Sequence, residues 1–440
     1  MRFATSTLLV LALLAAAPAA EAVDLADTVA THIGGIGRHP ISGDGRRVVF
    51  DDYTGTPTDG DFDVYLWEEG TGLTRITDEY PEPGLNKVAA LDVDFDGTAV
   101  AAIASGDLAG TGAATYELYR WTAEAEWQRL TFTSGTLPKL HLVSGLAISE
   151  DGARIAFASR DDYTGDNRDG TLQVFLWDEG AGISQVTHGS PCSAGGGNVL
   201  GDLSGDGRRI LFVSSCQYGI TNEDLGFDLY LWDESAGVRA LTETKPGNSS
   251  GRATLNRDGT VAALVSGDDL TGVGVAGDRV YRWVDGRGFE LLTQEPTSPA
   301  TPSISADGGR IAYVAANGQG DPAVNPEGTD ELFLWQEGAP ELAALTDSGQ
   351  TDPDSIGNDA PHFSADGIRL SMVARRAFDS PLDLRTGHYV IDVLSAAGEN
   401  AKPESNPKPT LHGSAGLGGA AASPIALHRP WQDDGIEILP

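Results

Sequence analysis

Residues Ser149-Glu150-Asp151-Gly152-Ala153-Arg154-Ile155-Ala156-Phe157 decide the fold. Asp-Gly between two β-prone runs is the strongest short hairpin signal, because both residues tolerate the positive φ of a type I′ turn. The phrase recurs. After a short β-rich segment, Asp-Gly returns at Asp44-Gly45, Asp96-Gly97, Asp206-Gly207, Asp258-Gly259, Asp307-Gly308 and Asp366-Gly367. With Asp151 included, the steps between aspartates are 52, 55, 55, 52, 49 and 59 residues. Periods of this size belong to solenoids, propellers or arrays, and helical periodicity is absent. The unit is therefore all-β.

Working outward from the turn, each unit reads as four strands. A short inner strand precedes it, such as Ser303-Ile304-Ser305 or Pro361-His362-Phe363-Ser364. An apolar second strand follows, as in Arg47-Val48-Val49-Phe50 and Arg209-Ile210-Leu211-Phe212. After a long polar loop comes a third strand, Val64 to Trp67, echoed by Leu118 to Trp121, Val174 to Trp177, Leu229 to Trp232, Val280 to Trp283 and Leu332 to Trp335. The fourth ends in a hydrophobe and threonine: Ile76-Thr77, Leu130-Thr131, Val186-Thr187, Leu241-Thr242, Leu292-Thr293 and Leu345-Thr346. Six of the 8 tryptophans thus share one position. A large ring once per blade is what packing one twisted sheet on the next requires, and this outweighs a ligand-binding aromatic platform. The last unit has Ile391 there and no fourth strand of its own. Thr28-Val29-Ala30-Thr31-His32 resembles Gln185-Val186-Thr187-His188 and is expected to complete that blade; Ile436-Glu437-Ile438-Leu439 is the rival. The expected fold is a seven-bladed β-propeller of four-stranded antiparallel blades over residues 23–394, closed by an N-terminal strand so that no edge is left unpaired.

The Ser-x-Asp-Gly turn, the apolar strand after it, the Tyr-Leu-Trp-Asp strand and the Leu-Thr ending resemble TolB-type, WD-repeat-like propeller units. Ser149-Glu150-Asp151-Gly152 and Ser305-Ala306-Asp307-Gly308 carry the likeness most closely. It extends over about residues 28–394. TolB itself has a further N-terminal domain, for which this sequence leaves no room. Prolyl-oligopeptidase relatives add a hydrolase domain with a Gly-x-Ser-x-Gly elbow, which the tail from Ser395 cannot hold. The resemblance implies a scaffold often used for protein or ligand binding.

Arg2, the apolar run Leu8 to Ala17 and Ala20-Glu21-Ala22 read as a secretory signal cleaved after Ala22, giving a periplasmic or secreted protein. The apolar run is too short for a membrane span. With 64 acidic and 29 basic residues the formal charge is −35, which argues against nucleic acid and anionic membrane surfaces and leaves a cationic partner open beside mere solubility. Residues 395–440 are rich in Ala, Gly, Ser and Pro and are expected to be disordered.

In a propeller unit, the loops between second and third strands share a face with those leading to the next blade. These loops repeat an acidic phrase: Asp51-Asp52-Tyr53-Thr54-Gly55, Gly106-Asp107-Leu108-Ala109-Gly110, Asp161-Asp162-Tyr163-Thr164-Gly165 and Asp268-Asp269-Leu270-Thr271-Gly272. The first is followed by Asp59, Asp61 and Asp63, and the third by Asp166 and Asp169. Clustered carboxylates suit calcium; the competing reading is that they cap Asx-turns in solvated loops. His39 and His362 on inner strands, with Asp92 and Asp202 nearby, are candidates to line the central channel. Propeller lyases and hydrolases of similar architecture place metal-binding histidines there. Cys192 and Cys216 are expected on the long-loop face, where an oxidising compartment makes them a disulfide. No complete catalytic motif is present. The favoured function is an exported, monomeric, non-catalytic scaffold that binds a protein or glycan through its acidic face. The alternative is a propeller lyase or hydrolase acting at the channel mouth.

Overall fold

A computed structural model of the chain describes residues 26–30, 40–53, 62–77, 88–112, 116–133, 145–189, 192, 196–218, 226–243, 250–275, 277–293, 302–315, 331–339, 342–345, 358–374 and 387–393. Among these the chain is all-β, without helix, and its antiparallel meanders stand as blades in a propeller ring. Six blades have four strands. The second unit shows the pattern: Val88–Val93, Ala99–Ala104, Glu117–Thr122 and Glu126–Arg129 pair in sequence order.

The first unit departs from the seven four-stranded blades expected. It is a three-stranded sheet of Arg47–Tyr53, Phe62–Glu68 and Gly72–Arg75. Among the described residues its inner segment contributes the single bridge Ile41↔Val48. Pro40 has no N–H for a ladder, and its carbonyl accepts from Val49 N at 3.2 Å. In the last unit, Ala26–Ala30 pairs antiparallel with Gly387–Asp392, in the order expected of a borrowed fourth strand. The signal segment, the tail and the rival strand at 436–439 lie outside the described residues.

The Asp-Gly turns are not the two-residue type I′ turns the sequence predicts. Gly45 N donates to Ser42 O and Ser42 N to Arg47 O, each at 2.8 Å, so the connection is a four-residue loop, 43–46. Only glycine takes positive φ, between 65° and 73° in all seven turns. Aspartate acts through its side chain instead. Asp44 Oδ1 accepts from Ser42 Oγ at 2.6 Å and Arg46 N at 2.9 Å, while Ser42 Oγ accepts from Arg47 N at 2.9 Å. The same set recurs around Asp151, Asp206, Asp307 and Asp366. Units two and five substitute Asp94, which accepts from Thr98 N at 2.7 Å, and Asn256, which accepts from Thr260 N at 2.9 Å.

The second residue of each turn ties its unit to the next. Gly43 N donates to Phe95 O, Phe95 N to Glu150 O, Glu150 N to Gly205 O and Gly205 N to Arg257 O. Arg257 N then donates to Ala306 O, Ala306 N to Ala365 O, and Ala365 N back to Gly43 O at 2.9 Å. The circuit of backbone bonds returns to its start.

Arginines reinforce it. Arg47, Arg154, Arg209, Arg310 and Arg369 open second strands and donate to turn carbonyls of the following unit: Asp96 O, Gly207 O, Gly259 O, Gly367 O and Gly45 O, at 2.5 to 3.3 Å. Units two and five have Ala99 and Val261 there. In those same units the third strand carries Arg120 and Arg282 where the others have Leu or Val. Their Nε atoms donate to Gly152 O at 2.9 Å and Gly308 O at 3.2 Å. A different strand thus makes the same bond. Ion pairs such as Arg154–Glu234 at 3.1 Å and Arg369–Glu69 at 2.9 Å also cross between units.

Between sheets lies the core, with Phe50, Tyr119, Phe175, Phe212, Tyr230, Tyr281 and Phe333 fully buried. The repeated tryptophans pack at the same interfaces. Trp67 and Trp283 are buried, and guanidinium groups from the preceding unit lie over Trp177, Trp283 and Trp335 at 5.9, 5.4 and 5.1 Å. They are packing residues.

Two outcomes follow for stability. A Cβ at Gly207 meets Arg154 Cδ at 2.6 Å, whereas at Gly237, also of positive φ, it meets nothing within 4 Å. Gly237→Ala is expected to cost only the left-handed backbone, about 1–2 kcal/mol. Gly207→Ala adds crowding of roughly 1–3 kcal/mol. Equal urea midpoints for the two variants would contradict this account of the turn. The second outcome concerns acid. Ser235 Oγ–H and N–H bonds hold Asp233 down to about 2, and the Ser149 hydroxyl lowers Asp151. Folded values below the unfolded ones mean stability present above about pH 4 and lost as pH falls toward 2. Unfolding midpoints should drop over that range, less steeply in Asp233→Asn.

Candidate functional site

A cavity of about 170 Å³ lies at the short-turn mouth of the channel. Its collar is apolar: Val93, Ile148, Leu203, Leu255, Ile304 and Phe363, one residue before the turn in units two to seven. Above the collar stand the second residues of the turns. The Glu150 carboxylate meets the Arg257 guanidinium at 2.8 Å, and that guanidinium lies 5.5 Å from the centre of the Phe95 ring. Burial pushes Glu150 up from the ordinary carboxylate value, against the lowering by Arg257. Burial likewise raises Asp94 although Thr98 donates to it.

Of the channel candidates, Asp92 and Asp202 serve the framework. Asp92 Oδ2 accepts from Ile148 N in unit three, and Asp202 Oδ2 from Leu255 N in unit five, both at 2.9 Å. The other oxygen of each accepts from the next backbone N–H, Val93 or Leu203. Ser303 Oγ does the same for Phe363 N at 3.0 Å. His362 lies in the inner strand Asn358–Phe363, in register with Ser371. His39 is outside the described residues.

The acidic phrases fall on the opposite face, as expected. Asp162 Oδ1 accepts from Gly165 N at 2.7 Å and Asn167 N at 3.0 Å, and Asp169 Oδ1 from Thr171 N at 3.1 Å. Asp161 Oδ2 lies 3.5 Å from the Tyr163 hydroxyl, and Asp166 is exposed. Asp269 accepts from the N–H groups of Gly272, Val273 and Gly274, and the Gly274 bond leads in holding it below the usual carboxylate range. These are the loop-closing bonds of the Asx reading. Asp51 and Asp63 are buried in unit one, and Asp52 sits on its second strand opposite Asp63. Asp59 and Asp61 are outside the described residues. No group of three or more His, Cys, Asp or Glu among the described residues is placed to hold a metal.

Asp63 belongs to a repeated device. Its carboxylate accepts from Thr77 Oγ1 at 2.7 Å and pairs with Arg75 at 3.3 Å. Thr131, Thr187 and Thr242 donate in the same way to Glu117, Gln173 and Asp228. Each of these four threonines also accepts from the third strand, at Val64, Leu118, Val174 or Leu229 N. The Leu-Thr ending is therefore the clasp of the outer strand. Cys192 and Cys216 form a disulfide with Cα atoms 3.9 Å apart, linking the entry of unit four to the end of its second strand. Beside it Asn198 Oδ1 accepts from the hydroxyls of Ser214 and Tyr218.

Sequence reasoning missed Phe95, Glu150 and Arg257. The signal was available: the second turn position reads Gly43, Phe95, Glu150, Gly205, Arg257, Ala306 and Ala365, large in three places and small in four.

No protein-family profile and no curated protein matches the sequence. Solved structures match in fold. An oligogalacturonate lyase from Vibrio parahaemolyticus gives a TM-score of 0.55 at 12% identity, over 84% of this chain and 92% of that one. The β-propeller domain of the Trilobed protease from Pyrococcus furiosus, described as an open velcro topology, gives 0.50 at 10% identity over 81% and 94%. TolB from Acinetobacter baumannii gives 0.42 at 17% identity over 68% of this chain and 65% of its own length. The chain is thus a β-propeller, with TolB-type propellers among its structural neighbours.

Because the disulfide closes a sequence separation of 24 residues, replacing both cysteines by serine is expected to cost about 3 kcal/mol. A urea titration giving an unchanged midpoint would show that the bond adds nothing. Since Asp107, Asp162, Asp169 and Asp269 already accept backbone N–H bonds, thermal unfolding should be the same in EDTA and in millimolar calcium. A clear upward shift in calcium would restore the metal reading.

Proposed function

We propose that the protein is an exported, non-catalytic binding scaffold whose acidic long-loop face takes a cationic region of a protein partner. The exposed carboxylates of the long-loop phrases carry this reading. Cations such as Arg47, Arg154, Arg209, Arg282 and Arg369 are spent at the short-turn rim, in bonds between units. The long-loop phrases present Asp107, Asp162, Asp166, Asp169 and Asp269 in exposed or half-exposed turns. With a formal charge of −35, such a face attracts basic partners at long range. The secretory signal features at Arg2 to Ala22 support export, and the Cys192–Cys216 bond is compatible with an oxidising compartment. In this reading seven units make the ring, and Ala26–Ala30 is the clasp that closes the last.

The test uses the mature protein against lysine-rich and glutamate-rich peptides of equal length. Binding is expected for the lysine-rich peptide alone, weakened at least about tenfold between low salt and 0.5 M NaCl, and weakened again by Asp166→Lys. Equal binding of both peptides would remove the electrostatic reading. Turnover of a polysaccharide or lactone panel, lost in a folded His362→Ala variant, would replace the scaffold by an enzyme.

A further inference from the structure

The second residue of each turn has a divided role. Its backbone belongs to the hydrogen-bonded circuit, which any residue but proline can join, while its side chain is left out of it. In units two, three and five those side chains meet. Arg257 holds the Glu150 carboxylate at 2.8 Å and lies 5.5 Å from the centre of the Phe95 ring. Glycine makes the meeting possible. A Cβ at Gly205 would meet Glu150 Cδ at 2.8 Å and Arg257 Cγ at 3.1 Å, and one at Gly43 would meet Phe95 Cδ2 at 2.1 Å. The apolar-collared cavity of about 170 Å³ lies at the same level.

We propose that the short-turn mouth of the channel is a recognition site for an alkylguanidinium group, which Arg257 occupies in cis. A carboxylate and an aromatic face are the two contacts a guanidinium seeks, one for charge-assisted hydrogen bonds and one for its flat cationic surface. The collar supplies an apolar lining for the methylene stem of a ligand, and the cavity has room for about five waters by their share of liquid volume. Arg257 is a replaceable occupant, since its side chain is 51% exposed against 25% for Glu150. When Arg257 swings out, Glu150 loses its counter-charge in a place where burial already disfavours ionisation, and a ligand cation restores it. This site lies on the face opposite the acidic loops and does not depend on the partner proposed for them.

Agmatine titrated calorimetrically into the full mature protein tests the proposal. Removing a tethered competitor of millimolar effective concentration should make Arg257→Ala bind agmatine at least about tenfold more tightly than the parent. Glu150→Gln in that background should abolish the gain, and Phe95→Leu should reduce it. Asp166→Lys should leave it unchanged, which separates this site from the loop face. A capped arginine dipeptide run in parallel distinguishes the sources: tighter binding than agmatine assigns a polypeptide side chain, weaker binding a free small guanidine. Should Arg257→Ala fail to fold, Arg257→Met keeps the stem and serves in its place. No gain on removing Arg257, or a gain that survives Glu150→Gln, would overturn the proposal.

Discussion

The circuit of backbone hydrogen bonds through Gly43, Phe95, Glu150, Gly205, Arg257, Ala306 and Ala365 is the constraint on which the rest of the ring depends. Each bond needs the turn before and the turn after it in one conformation. The Ser hydroxyl and Asp carboxylate hold that conformation by taking up backbone donors inside the loop. Glycine at the fourth position supplies the positive φ and lets the neighbouring arginine lie against it, as Arg154 does over Gly207. A circuit closed on itself tolerates no change of length on this face. The unit length nevertheless varies from 49 to 59 residues, and the variation goes to the far side, into the connections before the third strand and between units. One face is rigid because its bonds are cyclic, and the other is free to vary because nothing there must close.

Much of this was legible in the sequence, for reasons the structure makes plain. Asp-Gly marks the turns because glycine alone accepts their left-handed residue, although the aspartate acts by its carboxylate and not by its own φ. The tryptophans mark the third strands because in six of the seven units a large ring at that position packs between sheets. Ile76-Thr77 and its counterparts mark the outer edge because threonine both accepts from the third strand and donates to the acid or amide beside it. In unit one the described inner residues make the single bridge Ile41↔Val48, where the sequence predicts a strand. The acidic residues allow two readings in sequence. Asp63, Asp92, Asp162 and Asp202 look like ligands in a linear reading, yet a lone carboxylate is also the best acceptor for stray N–H groups where strands and loops meet. Only the geometry shows which use applies.

The exchange between Arg154-type and Arg120-type arginines separates a requirement from its execution. Every unit needs a donor aimed at the next turn's carbonyl, and the carbonyl does not care which strand provides it. Where the second strand opens with Ala99 or Val261, the third brings Arg120 or Arg282 to the same acceptor. Buried in this way, Arg282 also reaches Glu337 at 3.2 Å and covers Trp335, so charge, hydrogen bond and packing coincide at one interface. Aspartates likewise serve the backbone on both faces, closing the short turns at Asp44, Asp151 and Asp206 and the long loops at Asp162 and Asp269 by accepting N–H bonds.

That logic also says where function has freedom to enter. In the turns, serine, aspartate and glycine are each bound to a backbone task, and the apolar residue before them is bound to the collar. The second position alone is held by its main chain and leaves its side chain uncommitted. Four units fill it with glycine or alanine, which leaves the mouth open; three fill it with Phe95, Glu150 and Arg257. Their side chains meet one another across units and take up no turn N–H group, and burying part of Glu150 works against its ionisation. A pair assembled over Gly205, at a place where smaller residues satisfy the same circuit, is better explained by what it recognises than by what it stabilises.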